Sequence, residues 1–164
     1  MNAVTDRRLP EEPTVPIVFA VFAALLWYLQ TPRPHDQGTP DDVLRAAHSL
    51  RCQFTSGVLA RLDSLPPSRT EDSGTEAVFD AIDRHRGRAR LVAPRGASDV
   101  SVTVGDHVLT FTELAPSGNP HFTVIFARFR PGTKELLAGD SHYFHDPYGV
   151  TAVGQYYGSC RVLQ

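Results

Sequence analysis

The stretch GQYYGSC, residues 154–160, decides the fold, because it ends in one of only two cysteines in the chain. The other cysteine, Cys52, lies far upstream in LRCQF. Around Cys160 the chain combines β-branched and aromatic residues with Gly154 and Gly158, which is typical of a strand that a second backbone approaches closely. The stretch therefore predicts a last strand that packs tightly against another part of the chain.

The segments between the two cysteines have the apolar alternation of half-buried strands. Valines alternate with polar residues in DVSVTV, and Leu109 and Phe111 alternate with threonines in HVLTFTEL. Turns rich in Gly or Pro separate such segments, as in PRGAS, PSGNP and RPGTK. The spacing predicts about eight strands joined as consecutive hairpins. We therefore expect a mainly β fold, an antiparallel meander that curls into a small closed barrel and leaves no open edge.

The two cysteines fall on the first and the last predicted strands. A Cys52–Cys160 disulfide would join these strands where the barrel closes, and a loop of this length would contribute up to about 4.7 kcal/mol. Neither cysteine follows a helix start or a basic cluster that would stabilise a thiolate, so catalysis is not expected of them. The alternative is two unrelated buried thiols.

Residues 15–30, VPIVFAVFAALLWYLQ, form an uncharged apolar run that is long enough for a short spanning helix or a signal-peptide core. LQTPRP, which follows, offers no small-x-small cleavage pair, so we favour an uncleaved anchor over a removed signal. Arg7 and Arg8 precede the run and Arg33 follows it, which favours a cytoplasmic N-terminus. A buried core helix is the remaining alternative.

The sequence predicts that the chain has four parts. Residues 1–14 form a tail, residues 15–30 the anchor or signal, residues 31–49 a linker with a short helix, and residues 50–164 an extracytoplasmic barrel. In TPDDVLRAAHSL, Thr39 suits the helix cap and Pro40 the first helical position. We expect a single-pass protein of a bacterial inner membrane with its barrel outside the cytoplasm, or an exported barrel if the segment is cleaved.

The composition argues against some classes of function. The net charge is −2 and only 21% of residues are charged, which argues against nucleic acid as a partner. The glycines are scattered through turns and do not form a phosphate-binding loop, so no nucleotide or other cofactor is expected.

Two resemblances bear on the residues from Cys52 onward. LTFTELAPSGNPHFTVIFARF together with GQYYGSC resembles a set of small exported bacterial proteins to which no activity is attached. SGNPHF resembles the Ser-Gly-x-x-aromatic loop of the periplasmic inhibitors of c-type lysozyme, small barrels with a cysteine near the first strand and another near the last. That resemblance implies a protruding binding loop. Its residues here are Ser117, Gly118, Asn119, His121 and Phe122.

The resemblance to the inhibitors has two departures. The inhibitors usually carry Tyr where this chain has Phe122, and they place a basic residue in or near the loop, where this chain has Asn119, Pro120 and His121. SGNP is also an ordinary turn composition.

GDSHYFHDPY carries candidate metal ligands. His142, His145 and Asp146, with Asp140 nearby, offer nitrogen and oxygen atoms. In a strand His142 and His145 point to opposite faces, so they converge only if the chain turns between them. The alternative is a solvated loop at the barrel rim.

RHRGRARL, residues 84–91, is a second candidate surface because arginines concentrate around its turn. It could meet an acidic protein face, an anionic lipid head group or a polyanionic envelope polymer, whereas the alternative is a solvated hairpin whose charge Asp80 and Asp83 neutralise.

Six aromatic residues were candidates to fill the barrel interior or to line a cavity within it: Phe54, Phe79, Phe111, Phe122, Phe126 and Tyr156. The leading prediction is a membrane-tethered, non-enzymatic binding domain for an envelope protein or a small apolar molecule. The alternatives are an inhibitor similar to those of lysozyme, an accessory subunit of a membrane complex, and a hydrolase or metal-dependent enzyme.

Overall fold

The computed structural model of the chain describes residues 38–94, 96–145 and 149–163. In these residues one helix precedes nine strands. The helix is α1 (Pro40–Ala46), and the strands are β1 (Leu50–Arg61), β2 (Ser68–Asp72), β3 (Glu76–Asp83), β4 (Arg88–Ala93), β5 (Gly96–Val104), β6 (Val108–Leu114), β7 (Pro120–Phe129), β8 (Leu136–His145) and β9 (Thr151–Val162).

Eight of the strands close into an antiparallel barrel. Strands β3 to β9 pair in chain order, and β1 completes the ring by pairing with β3 on one side and β9 on the other. Cys52 lies directly opposite Cys160 in the β1–β9 pair, and the two form a disulfide. The predicted mainly β fold, the closed antiparallel barrel and the disulfide are confirmed.

The ninth strand, β2, lies outside the ring. It pairs with Gly57–Arg61 of β1, whereas β3 pairs with Leu50–Gln53 of the same strand. All five of its residues, SRTED, are exposed. The sequence analysis missed this strand because a strand with no buried face has no apolar alternation to find.

Gly158 allows β1 and β9 to lie close together near the disulfide. A Cβ atom at this position would lie 2.0 Å from the backbone oxygen of Gln53. On β1 the register shifts between Phe54 and Ser56, so the bulge and the glycine occur together. The prediction of a close approach beside Cys160 is confirmed.

Helix α1 begins with a capping box and covers one end of the barrel. The Thr39 side chain accepts from the backbone of Asp42, and the Asp42 carboxylate accepts from the backbone of Thr39 in return. Leu44 and Ala47 belong to the hydrophobic core of the barrel. The predicted short helix is confirmed, and it packs on the barrel.

Arg84, in the β3–β4 turn, holds the C-terminal end of α1. Its guanidinium donates to the backbone oxygens of Leu44 at 2.7 Å and Ala47 at 2.6 Å. The imidazole of His107, in the β5–β6 turn, lies 2.9 Å from the carboxylate of Asp41. These contacts fix α1 across what we call the closed end, and the opposite end, at the β4–β5 and β6–β7 turns, is the open end.

The core next to the closed end is apolar and tightly packed. The rings of Phe79 and Phe111 stack with centroids 4.0 Å apart. Other side chains with less than 2% exposure surround them, namely Leu50, Leu109, Ile125, Leu136 and the two cysteines. Burial on this scale is the main source of stability for a small barrel.

Four of the six candidate interior aromatics are buried, namely Phe54, Phe79, Phe111 and Tyr156. Placing Phe122 and Phe126 inside is wrong. Strand alternation on β7 turns Thr123 and Ile125 inward, so Phe122 faces outward and Phe126 is 45% exposed.

Within the part of the chain that the structure describes, there is no helix of the length and apolarity that crossing a bilayer requires. The predicted anchor or signal, residues 15–30, lies outside the described residues. The predictions of a hydrophobic N-terminal helix and of its topology stay predictions.

Candidate ligand cavity

A cavity of about 630 Å³ occupies the open end of the barrel. Phe54 and Phe79 contribute to its apolar part, with Leu91, Pro94 and Ala115 around the wall. The remaining wall carries polar side chains from β5 to β9, and it is also lined by Ser73, Thr75 and Glu76. The barrel is therefore packed at one end and hollow at the other.

The polar side chains occupy inward positions of the strands whose other inward positions form the core. On β8 the inward residues run from Leu136 and Ala138 to Asp140 and His142 as the strand approaches the open end. The partner strand β7 turns Thr123 towards the cavity beyond the buried Ile125. The alternation of inward and outward residues continues along each strand, while the inward side chains change from apolar to polar.

Asp140 is the most buried carboxylate of the cavity, with 5% exposure. The hydroxyl of Thr123 donates to its Oδ1 at 2.6 Å. The imidazole Nε2 of His142 pairs with its Oδ2. A carboxylate buried this deeply needs such hydrogen-bonding partners.

Glu113, on β6, forms a second group of the same kind two strands away from Asp140. The hydroxyl of Ser98 donates to its Oε1 at 2.6 Å. The Nδ1 atom of His121 lies 3.3 Å from its Oε2. Two carboxylates thus each hold one hydroxyl and one imidazole.

The two imidazoles stack on each other at the cavity wall. The ring centroids of His121 and His142 are 4.0 Å apart, and the planes differ by 6°. Burial lowers the pKa of His121, and the proximity of His142 lowers it further, while Glu113 and Asp140 act in the opposite direction. Neutral His121 is the form that this environment favours near neutral pH.

Tyr156, on β9, completes the polar wall. Its ring occupies space that Gly57 and Gly154 leave free, since a Cβ at either glycine would lie less than 3 Å from it. Its hydroxyl donates to the carboxylate of Asp72 at 2.8 Å. Burial, and after it this hydrogen bond, raises the pKa of Tyr156 to about 12, so the hydroxyl keeps its proton.

The structure separates two of the candidate metal ligands and does not describe the third. His142 and Asp140 line the cavity, whereas His145 is exposed and its Nδ1 lies 3.0 Å from the Thr151 hydroxyl. Asp146 lies outside the described residues. Among the residues that the structure covers, no group of three or more His, Cys, Asp or Glu side chains is arranged to hold a metal ion.

The five residues of the SGNPHF resemblance lie in three places. Ser117 and Gly118 are exposed in the β6–β7 turn, and the Asn119 side chain bonds the backbone of His145. His121 faces the cavity, while Phe122 packs outward at 6.1 Å from the ring of Tyr143. The turn can protrude, but His121 and Phe122 do not share its surface.

Most of the arginines in the RHRGRARL segment make contacts with other residues of the barrel or with α1. Arg90 makes two hydrogen bonds to Asp80, at 2.8 and 2.7 Å, which lower the pKa of Asp80. Arg86 pairs with Asp83, and Arg84 binds α1. The expected neutralisation by Asp80 and Asp83 is observed.

Comparison of the chain with protein-family models, with curated proteins and with solved structures gave no match. The candidate site therefore rests on the geometry of the cavity alone.

Sequence reasoning missed the cavity residues Ser98, Glu113 and Thr123. The signal that finds them is the period of two followed beyond the last apolar residue of a strand. On β6, Glu113 continues the inward series of Leu109 and Phe111. Polar residues at inward positions of a small barrel mark the place where the packed core stops.

Proposed function

We propose that this protein is a non-enzymatic, extracytoplasmic binding domain that takes a small organic molecule into the open end of its barrel, and that residues 15–30 tether it to a bacterial inner membrane. The observation that carries the proposal is the cavity of about 630 Å³ beside a fully packed core. Cavities that bind small molecules have volumes of roughly 300–1,000 Å³.

The lining supports binding of an organic molecule. Apolar and aromatic side chains such as Phe54, Phe79 and Phe144 offer contact area, and a small number of convergent polar groups fix an orientation. The polar groups are themselves held by hydrogen bonds, so the site is organised before a ligand arrives.

The Cys52–Cys160 disulfide supports the proposed compartment. Such bonds persist in oxidising surroundings and are rare where thiols are kept reduced. The tether rests on the apolar run of residues 15–30 and on the arginines before it.

A thermal-shift screen with a small-molecule library tests the proposal. Ala93 lines the cavity, and its neighbour Val92 faces outward with 37% exposure. Compounds that bind in the cavity should raise the melting temperature of the wild type and of Val92→Trp and leave Ala93→Trp unchanged, because a bound ligand stabilises only the fold that binds it. Compounds that stabilise all three proteins equally, or a library without hits, would contradict the proposal.

An enzyme that moves protons on its substrate is a second candidate, favoured by the pairing of His121 with Glu113 and of His142 with Asp140. Incubating each screening hit with the protein in D₂O separates the two. Deuterium entering a C–H position in wild type, but not in His121→Asn, supports the enzyme. A hit recovered unchanged supports binding alone.

A further inference from the structure

Three hydroxyl groups of the cavity wall give their protons to carboxylates. Ser98 donates to Glu113, Thr123 to Asp140 and Tyr156 to Asp72. A hydroxyl has one proton to donate and two lone pairs with which to accept. What these three groups can still offer a ligand is therefore oxygen lone pairs.

The same argument applies to the two imidazoles. A neutral imidazole has one N–H, and an ionised carboxylate can only accept, so the proton lies on Nδ1 of His121 and on Nε2 of His142. Stacking at 4.0 Å opposes a charge on both rings at once. Nε2 of His121 and Nδ1 of His142 remain, and each is an acceptor.

The charged side chains that line the cavity are negative. Glu113 and Asp140 point into it, and no Lys or Arg side chain is found among the described residues that line it. Phe54, Phe79 and Phe144 add ring faces or edges to the wall. Aromatic faces attract cations as well as apolar groups.

From these observations, and resting on the proposed function, we propose that the cavity selects molecules that carry a protonated amine on an apolar body. The ammonium group donates to the imidazole nitrogens and the hydroxyl oxygens, and Glu113 and Asp140 balance its charge. The apolar body lies against the aromatic wall. Carboxylates meet a repulsive field at this wall, and groups that only accept hydrogen bonds find no partner in these hydroxyls and imidazole nitrogens.

Three probes with one indole body and different head groups test this selection. They are tryptamine, which is a cation, tryptophol, which is neutral, and indole propionate, which is an anion. Calorimetric titration of the full chain at about pH 8 keeps the amine protonated. We expect tryptamine to bind about tenfold or more tighter than tryptophol, and indole propionate to bind most weakly.

Variants locate the selection in the cavity. Asp140→Asn and Glu113→Gln each remove a charge and add an amide donor, so each should reduce the preference for tryptamine over tryptophol by about tenfold. Asp99→Asn is the matched control, because Asp99 follows Ser98 on β5 but is exposed on the outer face. It should keep the wild-type preference. Using both cavity variants keeps the test decisive if one of them fails to fold.

The outcomes separate the two proposals. If tryptophol or indole propionate binds as tightly as tryptamine, and Ala93→Trp abolishes that binding, the ligand class is wrong and the binding function stands. If Ala93→Trp leaves the binding of all three probes unchanged, or none of the three binds and the library gives no hits, the binding function is wrong as well.

Discussion

The two ends of this barrel are built from the same strands but differ in what they can do. At the closed end, α1, the disulfide and core side chains such as Leu109 and Phe111 leave no room for a ligand. At the open end, the same strands turn Glu113 and Asp140 into a cavity of about 630 Å³. In a small barrel, stability and binding can therefore be divided along the barrel axis.

The difference between the two ends depends on which side chains occupy the inward positions of each strand. Side chains alternate between the two faces of a strand along its whole length, so a strand can supply core residues at one end and site residues at the other. Residues of the closed end should then affect mainly stability, and residues of the open end mainly ligand affinity and its pH dependence.

Removing the disulfide should give one of the two largest losses of stability. The cysteines are separated by 108 residues, and the double replacement Cys52→Ala with Cys160→Ala should lower the free energy of unfolding by up to about 4.7 kcal/mol. Urea denaturation measures the loss, and reduction of the wild type should reproduce it. A loss below about 1 kcal/mol would show that the disulfide contributes little to the closed end.

Truncating matched phenylalanines compares the two ends directly. Phe111→Ala, in the packed core, removes a ring with 1% exposure and should cost about 3–5 kcal/mol, whereas Phe144→Ala, at the open end, removes a ring that is 37% exposed and should cost less than about 1.5 kcal/mol. Chemical denaturation of both variants provides the comparison. Equal losses would contradict the division into a structural end and a binding end.

Releasing α1 should have a moderate effect. Arg84→Met leaves two backbone oxygens of α1 without their charged donor and should cost about 1.5–3 kcal/mol. Arg88→Met, at an exposed position of β4, should change stability by less than about 0.5 kcal/mol. Urea midpoints that shift equally in the two variants would rule out the role given to Arg84.

Acidification should have the smallest effect, and it should come from the open end. The pKa of His121 is below its ordinary value of 6.5, so the unfolded chain takes up the proton first. Stability should therefore fall as the pH drops below 6.5 and level off below the folded-state pKa, with a slope of at most about 1.4 kcal/mol per pH unit.

The groups facing His121 are Glu113, His142 and Asp140. Denaturation of wild type, His121→Asn and His48→Asn between about pH 7.5 and about pH 5.5 isolates its contribution. His48 is the control because it is exposed and does not line the cavity. His121→Asn should flatten the slope and His48→Asn should not. The same slope in all three proteins would contradict the assignment.

The sequence was sufficient for the barrel, because alternation in β5 and β6, turn residues and two cysteines on the end strands all indicate one closed sheet. It was not sufficient for β2, whose exposed residues have no pattern, or for the outward direction of Phe122 and Phe126, which depends on the register of β7.

The site was less predictable than the fold. The sequence marks His142 as a candidate metal ligand and His121 as part of the SGNPHF loop, but it does not indicate their contact, because that contact depends on the pairing of β7 with β8. The hydrogen bonds that Ser98 and Thr123 donate depend on distances between strands. Only the continuation of inward positions through Glu113 and Asp140 could be read from the chain itself.

Amide chemical-shift mapping during a titration with tryptamine tests most directly whether the open end is the binding site. The account predicts shifts along the cavity segments of β6, β7 and β8, around Glu113, His121 and His142, and little change around Leu50 and Leu109 in the packed core. Shifts confined to the outer face or to the closed end, or no shifts at all, would contradict it.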